Sequence, residues 1–144
     1  MRKVWIVVAN SSKSIIYRAE NVKTLVEHKV FEHKESHLAD NQLTADKQGR
    51  QTHRVSYGTD TYQEQTPTKV KESSSFAEEI SAFLEEGYNN RDMERIYLVA
   101  KPPFLGFLRS SLSSNVAGLI ASEIHKDLTQ LRAEEVREYL PPVL

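Results

Sequence analysis

The chain has 144 residues, a formal net charge of −1, 39% hydrophobic and 27% charged residues, and no cysteine. This balance fits one domain with a real core, and excludes a disordered chain and the overall basic field of a free nucleic-acid binder, although a local basic patch stays open. Without cysteine, disulfides, thiolate nucleophiles and thiolate metal sites are excluded.

Val4–Ala9 is a continuous apolar, mostly β-branched run and predicts a central strand buried on both faces. The run is too short for a secretory leader, and no stretch approaches the roughly 18 apolar residues that cross a bilayer. The expectation is a soluble cytoplasmic protein with no membrane insertion. Asn10-Ser11-Ser12 reads as a turn, residues 14–19 as a second strand and residues 25–31 as a third. Their short connections predict an antiparallel meander.

From about His33 to Lys71 the periodic signal disappears, large aliphatics are few and charge is balanced. Loops longer than about 12–15 residues are uncommon in compact domains and are usually functional or disordered. Order resumes at Ser73-Ser74-Ser75, which predicts a helix start. Phe76, Ile80, Phe83 and Leu84 then form the core face, and Glu78, Glu79, Glu85 and Glu86 the wet one. Gly87 and Asn89-Asn90 are expected to stop this helix.

Residues 95–100 predict another buried strand, ended by Lys101-Pro102-Pro103. A proline there suits the first turn of a helix that turns Phe104, Leu105, Phe107 and Leu108 inward. Residues 115–131 fit two patterns. Val116, Leu119, Ile120, Ile124 and Leu128 match a helical stripe, whereas Ile120, Ser122, Ile124 and Lys126 alternate as a strand would; pattern alone leans to the helix. Residues 133–140 read as a short terminal helix closed by Pro141-Pro142.

Three ordered stretches carry a resemblance. They are Ser36-x-Leu38-x-Asp40-x-x-Leu43-x-x-Asp46-x-x-Gly49-Arg50, then Pro102-Pro103-Phe104-Leu105-Gly106-x-Leu108-Arg109, then Glu123-Ile124-x-Lys126-Asp127-Leu128-Thr129. Together with Trp5 and Ala9 in the opening strand, this set resembles the bacterial family of host attachment proteins, required for attachment to host cells. That family is more distantly similar to the central domain of archaeal and eukaryotic peptide-chain release factors. The resemblance implies an α/β fold, a mixed β-sheet flanked by helices, with a long loop between the third strand and the first helix. It also implies that residues 120–126 form a strand, against the helical lean.

In release factors the long loop ends in Gly-Gly-Gln, which helps water cleave the peptidyl-tRNA ester. Here Gly49-Arg50-Gln51 keeps the first and third residues and replaces the second with arginine, which adds bulk where glycine allows close approach to RNA. The chain has no room for a codon-reading domain, so stop-codon termination by this protein alone is not expected. The resemblance implies peptidyl-tRNA hydrolase-like work, with Gln51 orienting water and Gly49 admitting the ester. Arg50, Arg54, Lys101, Arg109 and Lys126 would then meet phosphate, in contact with ribosomal or transfer RNA.

Plainer readings stand beside these. Gly49-Arg50-Gln51 also reads as a polar loop tip, and Asp40 and Asp46 as loop-structuring residues bonding to nearby backbone or pairing with Arg50 or Arg54. His33 and His37, four residues apart, match a metal pair only if helical, and read better as solvated loop residues. His125 joins the candidate rim, and Thr129 assists it; Lys126-Asp127 alternatively forms a local ion pair closing the last strand. Tyr57 and Tyr62 can stack on bases or simply pack. His28 is expected to pack across strands or lie at the surface. Neither a cofactor, a metal nor DNA is expected, and oligomeric state is not legible. The alternative function is a non-enzymatic interaction protein connected, directly or indirectly, with attachment.

Overall fold

The computed structural model describes residues 3–33 and 67–144. Five strands, β1 (Val4–Ala9), β2 (Lys13–Ala19), β3 (Leu25–Glu32), β4 (Arg95–Val99) and β5 (Ile120–Ile124), form one mixed sheet in the order β3-β2-β1-β4-β5. β1, β2 and β3 are the antiparallel meander expected from their short turns, while β4 pairs with β1, and β5 with β4, in parallel. The described helices are α1 (Pro67–Asn89), α2 (Phe104–Ser111), α3 (Ser114–Ala117) and α4 (Ala133–Glu138).

The alternation of side chains along each strand divides the core between the two faces of the sheet. Trp5, Val7, Ala9, Ile96 and Leu98 pack with Phe76, Ile80 and Leu84 of α1, with Phe104, Leu105 and Leu108 of α2, and with Val116 of α3. Val4, Ile6, Val8, Tyr97 and Val99 pack with Leu128, Val136 of α4, and the C-terminal Leu140 and Leu144. Covered on both faces, β1 buries all six of its residues, which is why it is a continuous apolar run rather than an alternating one.

Several boundaries differ from the sequence expectation. α1 starts at Pro67, not at the serine cluster; the proline occupies the first helical position, where its missing N–H is harmless, and Ser73–Ser75 lie inside the helix. Gly87 does not stop α1. A Cβ there would lie 2.5 Å from Cη2 of Trp5, so glycine serves the close packing of helix on strand. The reversal falls at Arg91, whose φ of 62° takes the left-handed position expected of glycine or asparagine. Glu85 is not simply solvated, since its carboxylate accepts from the Ser113 hydroxyl.

The helical lean over residues 115–131 is overturned. Val116 belongs to the short α3, and Ile120–Ile124 is a strand, as the family resemblance implied. Its partner, β4, is distant in sequence, so the pairing that decides the matter leaves no local periodicity. α4 ends at Glu138 rather than at 140. The Arg137 guanidinium donates to the carbonyls of Leu140, Pro141 and Pro142, and to Val22 in the β2–β3 turn, fastening the C-terminal segment.

Candidate functional site

The parallel strands β1, β4 and β5 end at one edge of the sheet, and α1 begins there. In open α/β sheets this carboxyl edge is where ligands gather, because loops diverge above the strand ends and leave a crevice. A cleft of about 200 Å³ occupies it, lined by Asn10 and Ser11 after β1, Lys101, Pro102 and Pro103 after β4, Asp127 after β5, Lys69 and Ser73 of α1, and Phe104 and Phe107 of α2. The peptide between Pro102 and Pro103 is cis.

Asn10 organises this edge through both ends of its amide. Its Oδ1 accepts from the backbone N–H groups of Ser12 and Lys13, at 2.8 Å each, and so shapes the β1–β2 turn. Its Nδ2 donates to Asp127 Oδ2 at 3.0 Å and to Thr129 Oγ1 at 3.1 Å. Asp127 Oδ1 in turn accepts from the Thr129 N–H at 3.0 Å and hydroxyl at 2.7 Å. Thr129 is buried, and this ring of bonds satisfies its hydroxyl as both donor and acceptor. Burial pushes the Asp127 carboxyl upward; hydrogen bonds from Asn10 and Thr129, with the charge of Lys101, outweigh it and hold the group below its ordinary range.

Of the residues singled out from sequence, Lys101 and Asp127 line this cleft, and Thr129 braces Asp127. Arg109 is committed elsewhere. Its Nε donates to Glu123 Oε2 at 2.8 Å, and a terminal nitrogen pairs with Oε1 in a forked contact. This pairing raises the guanidinium and lowers the Glu123 carboxyl, and His125 Nε2 lies 3.7 Å from the same carboxylate. Lys126 is exposed beyond β5, and among the described residues no ion pair joins it to Asp127, whose oxygens are taken by Asn10 and Thr129.

Asp40, Asp46, Gly49, Arg50, Gln51 and Arg54 lie outside the described residues, as do His37, Tyr57 and Tyr62. His33 packs against Phe76 with ring centroids 5.0 Å apart, and His28 packs against Trp5 at 4.8 Å. Among the described residues no group of three histidine or carboxylate side chains is placed to hold a metal ion. Sequence reasoning missed Asn10, Ser11, Lys69 and Ser73 as cleft residues. For Asn10 a signal existed: a polar turn residue directly after a fully buried parallel strand stands at the edge where ligands bind.

A family model described as "Protein required for attachment to host cells" matches residues 5–140. The chain belongs to this host-attachment family. No curated protein matches this host-attachment chain. Among solved structures, one titled "Archaeal protein" is similar at 13% identity, covering 93% of this chain and 32% of the other, with a TM-score of 0.49. The host-attachment chain thus spans about a third of that protein's length. No described helix is long and apolar enough to cross a membrane.

Proposed function

We propose that this host-attachment protein is a translation-associated factor that meets ribosomal or transfer RNA at the carboxyl edge of its sheet. One observation supports the reading above others: the cleft holding Lys69 and Lys101 lies at the edge where both described flanks of residues 34–66 are anchored. On one side β3 runs out to His33, whose N–H donates to the Ser12 carbonyl at 2.8 Å. On the other, α1 starts at Pro67 and carries Lys69 into the cleft. Both ends of the segment that carries Gln51 in sequence thus leave the described structure beside a cleft lined by two lysines. In this reading Lys101 meets RNA phosphate, and Arg50 and Arg54 add phosphate contacts.

The finer assignment is peptidyl-tRNA ester hydrolysis. Gln51 holds a water against the ester carbonyl, and Gly49 leaves room for the acyl carbon. The water oxygen bonds to that carbon, the bond to the ribose oxygen breaks, and the water's protons are shared between the freed hydroxyl and the acid. Glutamine is no base, so its contribution is orientation, effective only on a prepared surface such as the ribosome. Ribosome co-sedimentation and peptidyl-tRNA release test the proposal. Association at low salt that weakens with added salt, and release lowered at least about tenfold by Gln51→Ala, are expected. No association at low salt, or unchanged release, overturns it.

A second reading, a non-enzymatic interaction protein in attachment, draws on the family's description and on the internal neutralisation of Arg109 by Glu123. Cell fractionation separates the two: surface exposure favours attachment, and retention with ribosomes favours the first.

A further inference from the structure

A second pocket of about 540 Å³ opens at the other end of β1, roughly 17 Å from Asn10 by strand rise, so it is separate from the cleft above. Its volume is that of a small-molecule site. Trp5 and His28 form its aromatic wall, and Lys3, Arg18, Glu20 and Asp92 bring charge to it. Arg18 is out of pattern. It is the one exposed residue of β2 other than the half-buried first position, in register with the buried Trp5 of β1. An apolar residue would be expected on that face of a strand with neighbours on both sides. Its guanidinium has no hydrogen-bond or ion-pair partner among the described residues. The Trp5 indole Nε1 is likewise buried and unpartnered.

The charges are balanced: Lys3 and Arg18 against Glu20 and Asp92. A phosphate or a nucleotide would bring negative charge against two carboxylates, and a simple cation would meet two positive groups. A ligand carrying one charge of each sign meets neither penalty. From this layout we infer that the pocket binds a small zwitterion of the free α-amino acid class. Its carboxylate takes the planar fork of Arg18, its ammonium takes Asp92 or Glu20, and its side chain lies along His28. Lys3 keeps donors for the carboxylate after spending one on the Arg91 carbonyl at 2.9 Å. The inference does not rest on the RNA reading, and either can fail alone.

Trp5 is the sole tryptophan, so its fluorescence reports directly on this pocket. The full chain is titrated with each of the twenty amino acids, with the corresponding α-amides of any that bind, and with acetate and inorganic phosphate. A saturable change with at least one amino acid is expected, weakened at least about tenfold in its α-amide and in the Arg18→Met variant. Should Arg18→Met fail to fold by circular dichroism, Arg18→Lys, which keeps the charge and loses the fork, replaces it with the same expected weakening. No saturable change below about 10 mM for any amino acid, equal binding of acetate or phosphate, or full affinity in the folded variant overturns the assignment.

Discussion

Asn10 and Asp127, 117 positions apart in sequence, are joined by a 3.0 Å hydrogen bond that ties the turn after β1 to the segment after β5 across the end of β4. The same Asn10 amide closes the β1–β2 turn. Asn10→Ala is therefore expected to cost about 1–3 kcal/mol, since it removes several bonds and leaves the buried Thr129 hydroxyl one donor short. A double-mutant cycle of Asn10→Ala with Asp127→Ala, read by urea denaturation, is expected to show a coupling of about 0.5 kcal/mol or more. Additive effects would mean that the clasp is only a surface contact.

Asp127 also sets an acid dependence. Its folded-state carboxyl is held below its unfolded value of about 3.9, so in the acid range the native state binds fewer protons than the unfolded one. The resulting stability is fully present above the unfolded value and is lost as pH falls through the folded one. The side chain is exposed, so solvent screening keeps the amount small. Asp127→Asn is expected to flatten the stability curve below about pH 4, measured by thermal unfolding across pH. An unchanged acid limb would contradict the hydrogen-bond account.

Gly87→Ala sets two effects against each other. Alanine in a helix interior gains about 1 kcal/mol over glycine, but here its Cβ meets the Trp5 ring at 2.5 Å, and overpacking costs about 1–3 kcal/mol. The expected result is net destabilisation with a shifted Trp5 emission maximum. A stabilised variant with unchanged emission would show that the ring moves freely aside.

Much of this molecule was legible locally. β1 announces itself because burial on both faces demands an unbroken apolar run, and the meander because its turns are short. What failed depended on distant partners. β5 gains its identity from parallel pairing with β4, and Gly87 from the Trp5 ring, neither of which leaves a trace in neighbouring residues. At the candidate site Asp127 was legible through a family motif, and Lys101 as a cation directly before another. Asn10 and Ser73 read as ordinary turn and cap residues, because only the fold brings them to one cleft. Arg109 was legible as a cation, yet its pairing with Glu123 joins α2 to β5 and could not be read from spacing.

The same pairing separates two basic residues in their expected effect on RNA binding. Lys101→Met is expected to reduce the slope of log affinity against log salt by about 0.7–0.9 for one lost phosphate contact. Arg109→Met is expected to leave that slope unchanged, because Glu123 already neutralises its charge. Filter binding of tRNA across a salt series measures both. Equal effects of the two substitutions would relocate the contact surface.

Ultraviolet crosslinking of bound tRNA to the full chain, with the attached peptides mapped by mass spectrometry, tests the carboxyl-edge assignment most directly. Crosslinks are expected on peptides carrying Asn10–Ser11, Lys69–Ser73 and Lys101–Phe107. Crosslinks confined to the opposite end of the sheet, around Lys3 and Arg18, or none at all at low salt, would contradict it.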